Sequence, residues 1–322
     1  MAEVTVRTIA AAERDAVLDL LDGWLPRAFF ARYFAFDPTF RDELCFVAEH
    51  DGRLVSTLQV FRKTVRAAAG AVLEVGCVGN VYTDPAWRGS GVAGRLLEQA
   101  IAAMHAHRFD ASLLFATRLD FYARFGWRSL PRVLSFIARG DTAGGGVAEP
   151  FAPDRDLDQV MAIYDEYNGA PGAVRRDPAY WRGQLRYAGN PDERFVVARR
   201  GGTVLAYARS AALYDLHVVI EHGCRGGETE ALADLIADQH HAAGAHPGTL
   251  AQLVPDAALD AALRARGLEA RAVEDRSWMW RPIVAEQLAA RLGVPAAAVH
   301  AEDFFAGLFP ADASRYWMSD RF

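Results

Sequence analysis

Lysine is nearly absent from this chain. Lys63 is the only one among 322 residues, and the other basic residues are arginines spread without a run. The net charge is −6. A chain with no basic stripe lacks the electrostatic footprint that a nucleic-acid backbone requires, which excludes nucleic acid as a partner. Cysteine is also scarce. Cys45, Cys77 and Cys224 are odd in number and far apart, so they form neither a disulfide framework nor a metal-ligand spacing. No apolar run reaches the roughly 18 residues of a membrane span. The first stretch, MAEVTVRTIAAAERD, has neither the basic start nor the apolar core of a signal peptide. These absences point to a soluble, cytoplasmic protein with no metal and no membrane contact. With 52% hydrophobic and 24% charged residues, the chain is globular rather than disordered. Its length favours two domains over one.

The hydrophobic pattern divides the chain into two similar series. A strand at Val4–Ile9 precedes helices at Ala11–Leu21 and Pro26–Phe34. Strands at Leu44–Glu49 and Leu54–Arg66 flank Asp51-Gly52, a strong hairpin signal. A glycine-containing strand covers Val72–Thr83, and an amphipathic helix covers Gly91–His105. A short strand follows at Leu113–Thr117. A short helix, Leu119–Phe125, is stopped by Gly126, and Trp127–Arg139 is a further strand. The run GDTAGGG, residues 140 to 146, is linker-like. After it the order of elements starts again, with Gly201-Gly202 as the hairpin turn and Glu228–Ala243 as the long helix. Ser277–Arg281 is the last strand of this second series. An internal duplication accounts for the repeated order. Residues 283 to 322 form a C-terminal extension.

The chemistry concentrates at Val81–Leu97, VYTDPAWRGSGVAGRLL. A glycine-rich arc feeding a helix start collects unpaired backbone N–H groups at one point and suits a phosphate. Gly89, Gly91 and Gly94 allow close approach of the backbone to a ligand, and Arg88 adds a fixed positive charge. GSGVAG has the spacing of a dinucleotide fingerprint, but Asp84, Pro85, Ala86, Trp87 and Arg88 separate it from the strand that ends at Thr83, and no acidic residue ends the next one. No Gly-Lys-Ser/Thr follows, so it is not a P-loop.

Arg88-Gly89-Ser90-Gly91-Val92-Ala93 resembles the acetyl-CoA-binding motif of the GNAT superfamily of N-acetyltransferases, Arg/Gln-x-x-Gly-x-Gly/Ala, at every fixed place. Val81–Pro85 resembles the end of that family's splayed fourth strand. The resemblance extends in element order over about residues 1–140. It implies an α/β (α+β) protein of tandem GNAT folds, each a mixed central sheet flanked by helices, with a short C-terminal extension. The expected segments are a catalytic domain at 1–142, a degenerate GNAT-like domain at 147–282 and an extension at 283–322. The implied activity is acetyl-CoA-dependent transfer of an acetyl group to a primary amine, of a small molecule or a lysine, by a sequential mechanism. The pyrophosphate would rest on Arg88, Gly89, Ser90, Gly91, Val92, Ala93 and Gly94. The peptide-like pantetheine arm would pair with the edge of Val81, Tyr82 and Thr83, with Thr117 completing the cofactor-contacting set. The resemblance allows a homo-oligomer.

Amine acetylation needs a base to take a proton from the ammonium and an acid to give one to the departing thiolate. The resemblance places the acid at Tyr122, in Asp120-Phe121-Tyr122-Ala123-Arg124-Phe125-Gly126; the alternative is a core aromatic. Glu74 is one candidate base. The C-terminal tail supplies another, because Phe304, Phe305, Phe309, Tyr316, Trp317 and Met318 make it too apolar for a frayed end. A docked terminus would bury the carboxylate of Phe322 and raise its pKa. This pattern is similar to the enhanced-intracellular-survival (Eis) acetyltransferases, which use a terminal Phe carboxylate with a tyrosine acid. The departure is length, since 41 residues from Pro282 cannot form the sterol-carrier-like domain that ends those proteins.

The second series departs as well. Its arc, His222 to Glu230, carries Glu228 and Glu230 where phosphates would lie, so its cofactor site is expected to be lost. His240-His241 with His246 and Asp238 could suggest a metal, but the pair reads as solvated at a helix end. Tyr180 and Trp181 read as core. The reading from a different class is a non-catalytic coenzyme A sensor.

Overall fold

In the computed structural model, the described residues are 3–138, 144, 146–187, 193–213, 216–244, 246–253 and 256–320. Phe322 and most of the expected linker at 140–146 lie outside them. The first series comprises β1 (Thr5–Thr8), α1 (Arg14–Leu21), α2 (Arg27–Phe36), β2 (Cys45–His50), β3 (Arg53–Arg66) and β4 (Val72–Thr83). It continues with α3 (Val92–Ala106), β5 (Ala111–Phe115), α4 (Leu119–Ala123), β6 (Arg128–Ser129) and β7 (Arg132–Ala138). The second comprises β8 (Glu149–Pro150), α5 (Pro153–Tyr167), α6 (Pro178–Tyr187), β9 (Arg194–Arg200), β10 (Thr203–Leu213) and β11 (Leu216–Cys224). Then come α7 (Thr229–Ala242), β12 (Gly248–Ala251), α8 (Ala257–Ala265), β13 (Ala270–Asp275) and β14 (Trp278–Pro282). The extension adds α9 (Ala285–Leu292) and α10 (Phe304–Leu308).

The strand expected at Trp127–Arg139 is two strands, β6 and β7, and they part company. One seven-stranded sheet runs β1-β2-β3-β4-β5-β14-β6, and the other runs β13-β7-β12-β11-β10-β9-β8. Reversing the second order aligns the sheets strand for strand. β14 then occupies in the first sheet the place that β7 occupies in the second. The two halves have thus traded one strand each. Every connection along β1 to β5 repeats in β8 to β12, including the hairpin. Asp51 and Gly52 both take positive φ (47° and 77°) in the first turn, the twist that suits a two-residue hairpin.

One face of the first sheet packs on α3 through Leu96, Leu97, Ala100 and Met104. The other face buries α1 and α2 together with the extension, in a core that includes Leu288, Val299, Phe305, Phe309 and Tyr316. Asp110 fastens the extension down. Its carboxylate accepts the Glu74 N–H at 2.8 Å, the Gln287 amide at 2.8 Å and Arg291 at 2.9 Å. No helix among the described residues is long and apolar enough to cross a membrane.

A fully buried polar network joins both halves to the tail. Arg176 bridges Glu221 (2.8 Å) and Asp320 (2.7 Å). The Tyr180 hydroxyl donates to Asp320 at 3.1 Å and accepts from Lys63 Nζ at 2.8 Å, and Lys63 pairs with Asp37 at 3.2 Å. Burial alone would raise the Glu221 carboxyl, yet Arg176 and Arg209 hold it at about 2, against an ordinary 4.5. Burial, aided by Arg315, lowers His222 to about 3, and burial beside His246 and His240 lowers His217 to about 4. Each of these groups binds its proton more readily in the unfolded chain. Stability is therefore complete above the ordinary histidine pKa, near 6.5, and is lost on acidification. Thermal midpoints measured from pH 8 to pH 4 should be level above about 6.5, decline below it, and decline faster below about 4.5.

Candidate functional site

β4 pairs with β3 along its whole length, to the Ser56↔Thr83 pair. It pairs with β5 only at Val75, Gly76 and Cys77, after which the two parallel strands separate. The β5-side edge of Val78–Thr83 is therefore open. A bulge interrupts the β3 pairing at this point. Asn80, in that bulge, takes φ +51°, and its buried Nδ2 has no hydrogen-bond partner among the described residues. Gly23, in the turn between α1 and α2, lies directly against the Tyr82 hydroxyl, so that turn roofs the open strand.

Beyond Thr83 the chain turns through Pro85–Trp87, whose first free N–H is capped by Asp84 (Ala86 N–H to Oδ1, 2.9 Å). Arg88 Nε donates to the Thr83 carbonyl at 3.2 Å, which leaves the guanidinium exposed beside the arc. Ser90 Oγ donates to the Trp87 carbonyl at 2.6 Å. Gly89 and Gly91 take φ of +80° and +85°, and a Cβ on either would meet nothing within 4 Å. Among the described residues no hydrogen bond uses the N–H of Gly89, Gly91, Val92, Ala93 or Gly94. Five unused donors at the start of a fifteen-residue helix are placed to receive an anion. Gly94 has a second reason besides the one expected. A Cβ there would lie 3.0 Å from the Phe125 ring, so the glycine admits the aromatic turn after α4. Thr117 is exposed, two residues past the end of β5.

Tyr122 stands on α4, half-buried beside the α3 core, 5.0 Å from Phe121 and 6.4 Å edge-on from Trp127. Its hydroxyl has no partner among the described residues. Burial raises its pKa to about 12, so the phenol is protonated at neutral pH. Glu74 lies on the paired part of β4, where Arg62 (3.1 Å) and the Thr64 hydroxyl (3.2 Å) hold its carboxylate. It therefore sits away from the open edge. The tail does dock: Tyr316, Trp317, Ser319 and Asp320 are buried, and the Tyr316 ring is 5.5 Å from Phe115 at the end of β5.

The second sheet repeats the splay, since β11 pairs with β12 only through Val219↔Ala251. There the tail lies in the opening. The Gln252 amide donates to the Ser314 carbonyl (3.0 Å) and accepts from Tyr316 N–H (3.1 Å), and Trp317 packs on His222 at 4.7 Å. Glu166 accepts the arc's Gly226 N–H at 3.1 Å, which puts a carboxylate where an anion would bind. Glu228 and Glu230 instead turn to Arg200 and Arg266. Of the histidine pair expected to be solvated, His241 is exposed and His240 is not. His240 is buried and shares Thr249 Oγ1 with His217 (2.9 and 3.1 Å). Asp238 accepts the N–H groups of Gly146, Val147 and Ala148. No group of three His, Cys, Asp or Glu able to hold a metal occurs among the described residues. Tyr180 and Trp181 are buried, as read. The buried network at Arg176 has no local sequence signal, because its carboxylate partners Glu221 and Asp320 lie 45 and 144 residues away.

An open fourth strand running into an arc of free N–H groups, within a repeated sheet, makes a cradle suited to an extended, phosphate-bearing ligand. Residues 5–130 match the model of the acetyltransferase (GNAT) domain, so the first half carries a GNAT acetyltransferase domain. The fold of the whole chain is the tandem form also seen in Eis1 from Mycobacterium abscessus, with 16% identity over 90% of this chain and 76% of that one, at a TM-score of 0.61. It is similar as well to a conserved protein from Enterococcus faecalis V583 described as a probable N-acyltransferase, with 13% identity, 90% and 75% coverage and a TM-score of 0.67. N-myristoyltransferase of Saccharomyces cerevisiae with bound myristoyl-CoA shares the architecture too, with 11% identity, 88% and 79% coverage and a TM-score of 0.58. No curated protein matches the sequence.

Proposed function

We propose that the chain transfers an acetyl group from acetyl-CoA to a primary amine, both substrates being bound before reaction. In this reading residues 1–142 carry the cofactor site, 147–282 form a degenerate partner that lines the acceptor side, and 283–322 return to the site. The observation that carries it is the open edge of Val78–Thr83 running into five unused N–H donors at the head of α3. A pantetheine arm, with its two amides, suits the first, and a pyrophosphate suits the second. The amine nitrogen attacks the thioester carbonyl carbon, a C–N bond forms and the C–S bond breaks. Strand N–H groups at the open edge stabilise the negative oxygen. The ammonium proton goes to the base, and the thiolate takes a proton from Tyr122. The base in this reading is the Phe322 carboxylate, supported by the burial of the tail as far as Asp320.

Calorimetric titration with acetyl-CoA, followed by thiol release over a panel of primary amines, tests the proposal. Binding with amine-dependent release is expected. Absence of binding would refute the reading, and binding without release on any amine would favour a coenzyme A sensor. Gly91→Val forces a β-branched residue to φ +85° at the arc. It should weaken acetyl-CoA binding roughly ten-fold or more, equal to about 1.4 kcal/mol.

A further inference from the structure

The helix bearing Tyr122 is five residues long, too short to hold its own geometry. Its C-terminal turn closes through Phe125 N–H and Trp127 N–H, both bonded to the Tyr122 carbonyl (3.0 and 3.3 Å). The Ala123 carbonyl accepts the Gly126 N–H at 2.9 Å, and the Phe125 carbonyl, in the same turn, accepts a hydrogen bond from Arg281 Nη1. Arg281 comes from β14, the strand that the second half contributes to the first sheet, where it lies opposite Ser112. Its guanidinium stands 5.4 Å over the Trp127 ring, the ring that meets Tyr122 edge-on. Gly126, at φ +88°, leaves room for it: a Cβ there would lie 3.4 Å from Arg281 Nη1. Among the described residues Arg281 has no carboxylate partner. A half-buried cation without a counter-ion is costly, and its placement at a helix C-terminus, where carbonyls carry partial negative charge, is favourable.

We propose that Arg281 is a positioning residue for the acetyl transfer: it clamps the turn after α4 and, through Trp127 and that turn, aims the Tyr122 hydroxyl at the departing sulfur. The proposal rests on Tyr122 being the acid. It makes the orientation of a first-half acid depend on a strand supplied by the second half.

The test is a double-mutant cycle in the full chain, with kcat and KM for acetyl-CoA read from thiol release. Arg281→Ala should lower kcat about ten-fold or more, since small misplacements of a catalytic group cost that much. KM for acetyl-CoA should stay within about two-fold, because the arc is untouched. Arg281→Lys, which keeps a cation able to reach the carbonyl, should recover most of the loss and guards against a folding defect in the alanine variant. In the Tyr122→Phe background, Arg281→Ala should cost nothing further. Equal losses in both backgrounds, an unchanged kcat, or a loss confined to KM would overturn the positioning role while leaving Tyr122 as the acid. If Tyr122→Phe by itself leaves kcat intact, the acid assignment fails and the positioning role fails with it.

Discussion

Tyr122→Phe is expected to lower kcat by about 10²-fold or more, with little change in KM for acetyl-CoA. The substitution removes one oxygen and leaves the aromatic packing on Phe121 and Trp127 in place, so the fold should be unaffected. The hydroxyl it removes makes no hydrogen bond among the described residues, so no structural bond is lost with it. Burial holds this phenol at about 12. It is therefore fully protonated at neutral pH and can stabilise a developing thiolate by hydrogen bonding as it gives up its proton. The raised pKa fixes the sign of the pH effect. The acid form persists as pH rises, so any loss of rate below about pH 10 belongs to another group. The same assay on a chain with one residue added after Phe322 addresses the base. Turnover should fall with it, and an undiminished rate would remove Phe322 from the mechanism. An unchanged rate in Tyr122→Phe would return Tyr122 to the core.

The second large effect is on folding. Trp280→Ala should destabilise the protein by roughly 3–5 kcal/mol, seen as a fall in denaturation midpoint. Trp280 is fully buried on β14, with rings of Phe309, Phe305 and Trp278 at 4.3, 5.4 and 5.3 Å. The site matters because β14 is a traded strand. It carries the pairing of β5 on one side and of β6 on the other. A chain stopped at residue 146 should fare worse still. It would leave β5 with a bare edge and β7 without either of its neighbours, β12 and β13. Circular dichroism and sedimentation should find it unfolded or aggregated. A well-folded, monomeric product would contradict this account of the sheets.

How much of this was legible follows from the range of each interaction. The arc was readable because glycines, arginine and helix start are contiguous, and their backbone geometry is local. The Asp51-Gly52 hairpin and the repeated order of elements were readable for the same reason. Gly94 reads as part of the arc, but its packing against Phe125, thirty-one residues on, is a contact that no local pattern reports. The partner of β7 was illegible, since Arg132–Ala138 reads as strand whichever sheet receives it. Arg281 had no motif around it at all. His240 reads as solvated from its place at a helix end, and its burial is decided by the strand across from it, where Thr249 meets its ring.

The trade of β7 for β14 also bears on how such a chain arose. Each half by itself carries a sheet with its sixth place empty and a spare strand that fits that place in another copy. Two separate copies could complete one another only by exchanging those strands, as a swapped pair. Joining the copies into one polypeptide turns that exchange into a permanent internal bond. One cradle could then fill with its own Glu166 while its strand went on serving the other.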